Sequence, residues 1–168
     1  TVIYVNYGNA TCSSQQNAAA VWTNGYKAVY HLATNPDSSL NLTDSTGNND
    51  ATNVGATVTT GQVDGAAAFN GSQYITLPNG ALIDSGARTI SIWFKAPVSD
   101  VYRAMFAQGG WYVGDVGRAI QLGISPYGAV TVSINGESVP DSQTGLNDNA
   151  WHNATFVFDG TNAWIVTD

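Results

Sequence analysis

The sequence predicts an all-β fold, a sandwich or barrel built from short antiparallel strands. Almost every patterned segment alternates apolar and polar residues with period two, and turn pairs such as Asn-Gly and Asp-Gly separate these segments. Many short strands with turn residues between them are typical of β-sandwiches and barrels. The chain has 168 residues, which suits one domain with a substantial core.

The first third of the chain contains little regular pattern. Residues 1–7 alternate and predict a strand, whereas residues 15–22 are rich in alanine, the strongest helix former, and predict about two helical turns. Residues 27–32 predict the next strand. Residues 33–54 combine proline, glycine, Asp-Ser and Asn-Asn pairs, so we expect a long loop there.

Residues 66–69 and 73–77 flank Asn70-Gly71, and this arrangement predicts a β-hairpin. The small alanines of the first segment allow another sheet or a loop to approach closely. Residues 88–95 alternate, with Ile90, Ile92 and Phe94 on one face and Ser91 and Trp93 on the other. Further strands are predicted at 104–108, 119–124, 129–134, 151–158 and 163–167, and the expected core residues are Phe69, Ile75, Ile92 or Trp93, Leu122, Val132 and Phe156.

Composition excludes several classes of partner. Only 10% of the residues are charged, the net charge is -7, and the five basic residues are scattered along the chain. Nucleic acids and anionic membranes need clustered Lys and Arg, so neither is an expected partner. Cys12 is the single cysteine, which leaves no intrachain disulfide and no thiolate metal site. Apolar runs stay well short of the ~20 residues of a membrane span, so no membrane insertion is expected.

Seven pieces of the chain, in order, resemble a laminin-G-like jellyroll domain of the concanavalin A-like lectin and glucanase superfamily. The residues that carry the resemblance are VYHL at 29–32, DSTGNND at 44–50, GAAAFNG at 65–71, YITLP at 74–78, TISIWFK at 89–95, WHNAT at 151–155 and FDG at 158–160. The resemblance implies a two-sheet antiparallel jellyroll sandwich with little helix, spanning residues 26–168.

The two ends of the chain depart from that pattern. Residues 1–25 resemble the tail of a β domain of unknown function that often precedes laminin-G-like domains in large prokaryotic surface proteins. We expect an N-terminal strand and a short helix or linker there. The resemblance also implies closing strands beyond Asp168. Either the chain is a piece of a longer protein, or another segment completes the sheet by β-strand pairing, such as residues 1–7 or a neighbouring copy.

The sequence predicts no catalytic residues and therefore no enzyme. Retaining glycosidases need two carboxylates ~5 Å apart, which one strand face provides at positions i and i+2 or i+4. Glu137 is the single glutamate, and no predicted strand carries such a pair. His31 and His152 lie in predicted strands beside bulky residues, which favours packed or edge positions over a role as general base.

The segment DSTGNND at 44–50 predicts a Ca²⁺ site. Asp44, Asn48 and Asp50 offer hard oxygen ligands in a glycine-containing loop, as Ca²⁺ prefers, although the spacing is not that of an EF-hand. The alternative is a turn in which these side chains accept hydrogen bonds from their own backbone. Laminin-G-like relatives often bind Ca²⁺, so the resemblance adds slightly to the case for the metal, and both alternatives stay open.

Aromatic residues beside turns are the candidates for sugar binding, because sugars stack on exposed rings. Trp111 and Tyr112 lie between Gly109-Gly110 and Gly114, so they form either a binding platform or a lid over the core. Tyr102 and Tyr127 also adjoin turn residues and are predicted to contribute. We interpret Trp93 and Trp151 as packing residues and Trp164 as half-buried.

Together these features predict a non-catalytic recognition module of a larger surface or adhesion protein, located outside the cell or on its surface. Its expected ligand is a carbohydrate or another surface polymer. The main alternative is a structural or self-assembling subunit, a stalk or filament, that is completed by strand exchange with a neighbouring copy. The weakest alternative is a glycan-processing enzyme.

Overall fold

The computed structural model describes residues 8, 10–11, 13–14, 16–81, 86–109, 119–134, 137–140 and 143–168. Almost all of their regular structure is β, as the sequence predicts, and every paired strand is antiparallel. The elements are α1 (Ala18–Val21), β1 (Thr52–Val54), β2 (Thr57–Thr60), β3 (Gly65–Ala68), β4 (Tyr74–Thr76), a 3-10 turn (Asn79–Ala81), β5 (Arg88–Lys95), β6 (Arg103–Gln108), β7 (Ile120–Ile124), β8 (Val130–Ile134), β9 (Glu137–Pro140), β10 (Trp151–Phe158) and β11 (Ala163–Thr167).

Two sheets enclose the core. A three-stranded sheet has the order β11-β10-β5, and a four-stranded sheet has the order β6-β7-β8-β9. Side chains from β5 and β10 form one buried cluster with those from β7 and β8. Leu122, Val132 and Phe156 are all 0% exposed, which confirms them as core residues. Burying each such side chain contributes ~1.5–3 kcal/mol.

Two smaller sheets, β2-β3 and β1-β4, correct the predicted hairpin at Asn70-Gly71. The strands on either side of this pair, β3 and β4, do not bond to each other. β3 pairs with β2 through a tight connection at residues 61–64, in which Gly61 N–H donates to the Asp64 carbonyl (3.0 Å), and β4 pairs with β1. Asn70-Gly71 therefore lies in the connection between two sheets, where Gly71 has a φ of 101°. Phe69 lies in that connection and is 54% exposed, so its predicted place in the core is wrong.

The predicted close approach of a loop to the alanine-rich strand occurs at Gly65. A side chain at this position would collide with the Leu32 carbonyl oxygen. β1 and β2 were not expected from sequence. These two strands contain seven residues, and all except Val54 and Val58 are exposed threonines or asparagine. Their sequences therefore show no apolar alternation that would mark a strand.

The predicted strand at 27–32 is replaced by an isolated bridge between Tyr30 and Asp44. Leu32 has a φ of 55°, a left-handed conformation that a continuing strand does not allow. The predicted helix at 15–22 is shorter, since α1 begins after Asn17, whose Oδ1 accepts a hydrogen bond from Ala20 N–H (3.1 Å). The predicted strand at 1–7 lies outside the described residues.

Candidate functional site

The three-stranded sheet presents one face to the core and the other outward, and we call the second surface the outer face. Ile90 and Phe94 on β5 and Ala154 and Phe156 on β10 are buried, so the odd-numbered residues that alternate with them on these two strands point away from the core. The register places these residues in rows across the sheet, which are Thr89–Val157–Trp164, Ser91–Thr155–Val166, Trp93–Asn153 and Lys95–Trp151.

Two tryptophans are exposed on the outer face. Trp93 on β5 is 46% exposed and Trp164 on β11 is 42% exposed. The interpretation of Trp93 as a packing residue is therefore wrong, because the alternation of β5 already directs Ile92 and Phe94 inward. Trp151 on β10 is half-buried, and the 42% exposure of Trp164 agrees with the half-buried position expected for it.

A hydrogen-bonded group of polar side chains lies between the two tryptophans. Thr155 Oγ1 is 2.9 Å from Ser91 Oγ and 3.1 Å from Asn153 Oδ1. Asn153 Nδ2 is 3.3 Å from Ser91 Oγ and 3.5 Å from the Ile92 carbonyl oxygen. These bonds orient the amide and both hydroxyls on the outer face, and each of these groups retains capacity to donate or accept further hydrogen bonds.

Charged groups lie at one end of the three-stranded sheet. Lys95 stands opposite Trp151, and Asp168 Oδ1 accepts a hydrogen bond from Asn153 N–H (3.1 Å). The same Asp168 oxygen lies 3.4 Å from His152 Nδ1, while His152 Nε2 lies 3.1 Å from Asp148 Oδ1. The hydrogen bond from Ala150 N–H, assisted by His152, lowers the pKa of Asp148. This end of β11 is thus tied to the loop before β10.

The aromatic residues predicted to bind ligand lie elsewhere. Tyr127 is 82% exposed in the turn after β7, and Tyr102, 40% exposed, precedes Arg103, which pairs with Ile124 at the same end of the four-stranded sheet. The Tyr102 ring packs so closely on Gly123 that a side chain there would collide with it, and burial raises the pKa of its hydroxyl. Two further predicted residues, Trp111 and Tyr112, lie outside the described residues, and binding by this group stays a prediction.

The Asp44 carboxylate organises the loop that was predicted to bind Ca²⁺. Asp44 is 1% exposed, and its Oδ1 accepts hydrogen bonds from Val29 N–H (2.7 Å) and Thr46 N–H (3.0 Å). Its Oδ2 accepts from Thr46 Oγ1, Asn49 N–H (3.1 Å) and Asn48 N–H (3.4 Å). Burial alone would raise the pKa of Asp44, but these donors outweigh it and the pKa is lowered.

The other predicted calcium ligands take part in the same network. Asp50 Oδ1 accepts from Asp44 N–H (2.8 Å), and Asn48 Nδ2 donates to the Thr46 carbonyl (3.1 Å). Burial, with Asp44 and Asp50 nearby, raises the pKa of the Tyr30 hydroxyl to about 12. In this arrangement a cation would have to displace backbone donors from Asp44. Calcium binding here stays a prediction.

Two other features are absent from the described residues. No group of three or more His, Cys, Asp or Glu side chains among them could hold a metal ion. No helix among them is long and apolar enough to cross a membrane.

Comparison with known proteins identifies the family. The family model of the concanavalin A-like lectin/glucanases superfamily matches residues 69–168, which is more than half of the chain. The chain belongs to this superfamily. That membership confirms the jellyroll sandwich expected from the sequence.

A solved structure shares the fold of this superfamily member. It is domain 4 of AbnA, a GH43 extracellular arabinanase from Geobacillus stearothermophilus, in complex with arabinotriose. The TM-score is 0.56 and the sequence identity is 17%, and the alignment covers 84% of this chain and 71% of that chain. No curated protein matches the sequence.

The outer face was missed from sequence although its signal was present. The alternation at 88–95 separates Ser91 and Trp93 from the apolar residues that form the core. The same period places Trp164 and the neighbouring Ile165 on opposite faces of the last strand. Knowledge that β5, β10 and β11 are neighbours was required to bring these residues onto one surface.

Proposed function

We propose that this superfamily member is a non-catalytic carbohydrate-recognition module that binds sugars on the outer face of its three-stranded sheet. The observation that carries the proposal is the exposure of Trp93 and Trp164 on one sheet face, on either side of the Ser91–Asn153–Thr155 group. Exposed tryptophan rings offer flat apolar surface for the C–H faces of sugars, and the amide and hydroxyls offer both donors and acceptors for sugar hydroxyls.

The comparisons support this class of ligand. The superfamily description includes lectins, and the structural neighbour was solved with arabinotriose bound. That neighbour belongs to an extracellular enzyme, which agrees with the low charge and the abundance of Thr, Asn and Gly in this chain. We therefore propose an extracellular or cell-surface location, and a place within a larger surface or adhesion protein.

The absence of catalysis is part of the proposal. On the outer face, the described strand positions carry Trp, Asn, Thr, Ser, Val and Lys side chains and no Asp or Glu. A glycosidase needs two carboxylates at the scissile bond. The proposed site therefore has the groups to hold a sugar chain and lacks the pair required to cleave it.

Titration of the protein with neutral polysaccharides tests the proposal. We expect at least one of arabinan, xylan, galactan, mannan and β-glucan to bind, and Trp93→Ala and Trp164→Ala each to weaken that binding. Tyr74→Ala, at an exposed ring on β4 in a different sheet, is the matched control and should bind as the wild type does. Absence of binding to every polysaccharide would refute the function. Binding that both tryptophan variants retain would refute the site.

Assembly by strand pairing remains the competing proposal. In the described part of the chain, β5 and β11 each bond to β10 alone, so each has an edge that another strand can pair with. Residues 1–7 or a neighbouring copy are the proposed partners. A third arrangement places the sugar at the turns of the four-stranded sheet, near Tyr102 and Tyr127. In that arrangement Tyr127→Ala or Tyr102→Ala would weaken binding, and Trp93→Ala and Trp164→Ala would leave it unchanged.

A further inference from the structure

We infer that the outer face selects uncharged glycans and binds internal segments of an extended chain. This inference rests on the proposed function, and it concerns which sugars bind and in what orientation. Two independent features of the outer face carry it: the distribution of charge and the separation of Trp93 and Trp164.

The charge distribution favours a neutral ligand. Arg and clustered cations strengthen the recognition of carboxylate and sulfate groups. Between Trp164 and Trp93 the outer face carries only hydroxyl, amide, aliphatic and aromatic side chains. Lys95 is the single cationic residue at the described outer-face positions, and it lies at the same end as Asp168.

The arginine of β5 does not add positive charge to this surface. Arg88 is 7% exposed, its guanidinium carbon lies 4.8 Å from the centre of the Phe158 ring, and its Nη1 donates to the Gly86 carbonyl (3.0 Å). The chain as a whole carries a net charge of -7. A polyanionic glycan would therefore meet repulsion without a compensating ion pair.

The separation of the tryptophans favours an extended chain. Trp93 and Trp164 lie on strands separated by β10, and their rows, at Asn153 and Val157 on β10, are four residues apart. Strand spacings of ~4.8 Å across the sheet and ~3.3 Å per residue along it put their backbones about 16 Å apart. A single sugar cannot cover both rings, whereas a chain laid diagonally across the Ser91–Asn153–Thr155 group contacts all three features.

The exposure of both rings allows a glycan chain to continue past the site at each end. With about half of each tryptophan at the surface, the rings form a platform on the sheet. A platform does not enclose a chain terminus, so it recognises internal units. Contacts with the second ring become intramolecular once the first is made, and affinity should rise with chain length until both rings are covered.

The test uses one neutral polysaccharide that binds, in three forms: unmodified, hydroxyethylated and carboxymethylated. Hydroxyethyl groups add similar bulk without charge and serve as the matched control. We expect the carboxymethylated form to bind about tenfold more weakly than the hydroxyethylated form at low salt, with much of the loss recovered at about 0.5 M NaCl. Equal or tighter binding of the carboxymethylated form, with binding still lost in Trp93→Ala, would refute selection for neutral glycans and leave the proposed function intact.

A length series of oligosaccharides from the same polymer tests the orientation. Wild-type affinity should rise roughly tenfold or more between the shortest and longest members, and Trp93→Ala or Trp164→Ala should each flatten that rise. A wild-type affinity that is already maximal for a monosaccharide would refute binding along the chain. Failure of every form and length to bind would refute the proposed function itself, so the two failures are distinct.

Discussion

Replacement of Asp44 by asparagine should destabilise the domain, because one carboxylate oxygen becomes an amide that cannot accept hydrogen bonds. Whichever oxygen is replaced, two backbone N–H donors lose their acceptor: Val29 and Thr46 at Oδ1, or Asn48 and Asn49 at Oδ2. A buried donor left unsatisfied costs ~1–3 kcal/mol. The Asn48 contact is long, at 3.4 Å. An amide nitrogen in place of Oδ2 therefore loses about one full hydrogen bond, whereas one in place of Oδ1 loses two.

The asparagine should adopt the orientation that loses about one full hydrogen bond, so we expect Asp44→Asn to lower the free energy of unfolding by about 1–3 kcal/mol. For a chain of this size, each kcal/mol shifts the melting temperature by ~2–4 °C, so the melting temperature should fall by roughly 2–12 °C. Thermal unfolding followed by circular dichroism measures this. The matched control is Asp37→Asn, because Asp37 is exposed and accepts hydrogen bonds from nearby Ser39.

Asp44 should also make stability depend on pH in acid. Its pKa in the folded protein is lowered from the ordinary 3.8, so its contribution is complete above that value and is lost as the pH falls through the lower folded pKa. The wild type should lose stability in this range more steeply than Asp44→Asn does. An Asp44→Asn melting temperature within ~2 °C of that of Asp37→Asn at neutral pH would contradict the proposed role of the carboxylate.

Three further predictions concern other parts of the chain. Phe156→Ala should cost ~3–5 kcal/mol of unfolding free energy by leaving a cavity, whereas Phe69→Ala should cost less than ~1 kcal/mol; equal losses in denaturant unfolding would contradict the assignment of the core. If residues 44–50 bind Ca²⁺, calcium added to chelator-treated protein should raise the melting temperature, and Asn48→Ala should reduce that rise; an unchanged wild-type temperature leaves the loop as a turn. Deletion of residues 1–8 should cause aggregation or a lower melting temperature if they complete a sheet, and a monomeric truncation of unchanged stability would refute strand completion.

Local alternation was sufficient to predict the central strands. The predicted bounds at 88–95, 151–158 and 163–167 match β5, β10 and β11. These segments pack one face against the core, so their period-two pattern is strong. β1 and β2 are exposed on most positions and give no such pattern, which is why they were missed.

Pairing between distant segments was the part that sequence could not supply. Asn70-Gly71 correctly marks a break between two strands, but whether those strands bond to each other depends on β1 and β2, which lie earlier in the sequence. The same limit applied to the candidate site. Trp93 and Trp164 are 71 positions apart in the numbering, and β10 must lie between their strands before they share a surface.

Nuclear magnetic resonance of the tryptophan indole N–H groups tests carbohydrate binding on the outer face most directly. The chain has five tryptophans, and single substitutions assign each signal. Titration with the neutral polysaccharide fragment that binds best should shift the signals of Trp93 and Trp164 and leave that of Trp22, which packs against Tyr26 and His31, unchanged. Shifts confined to Trp111, with Trp93 and Trp164 unaffected at saturation, would contradict the account and place the ligand elsewhere.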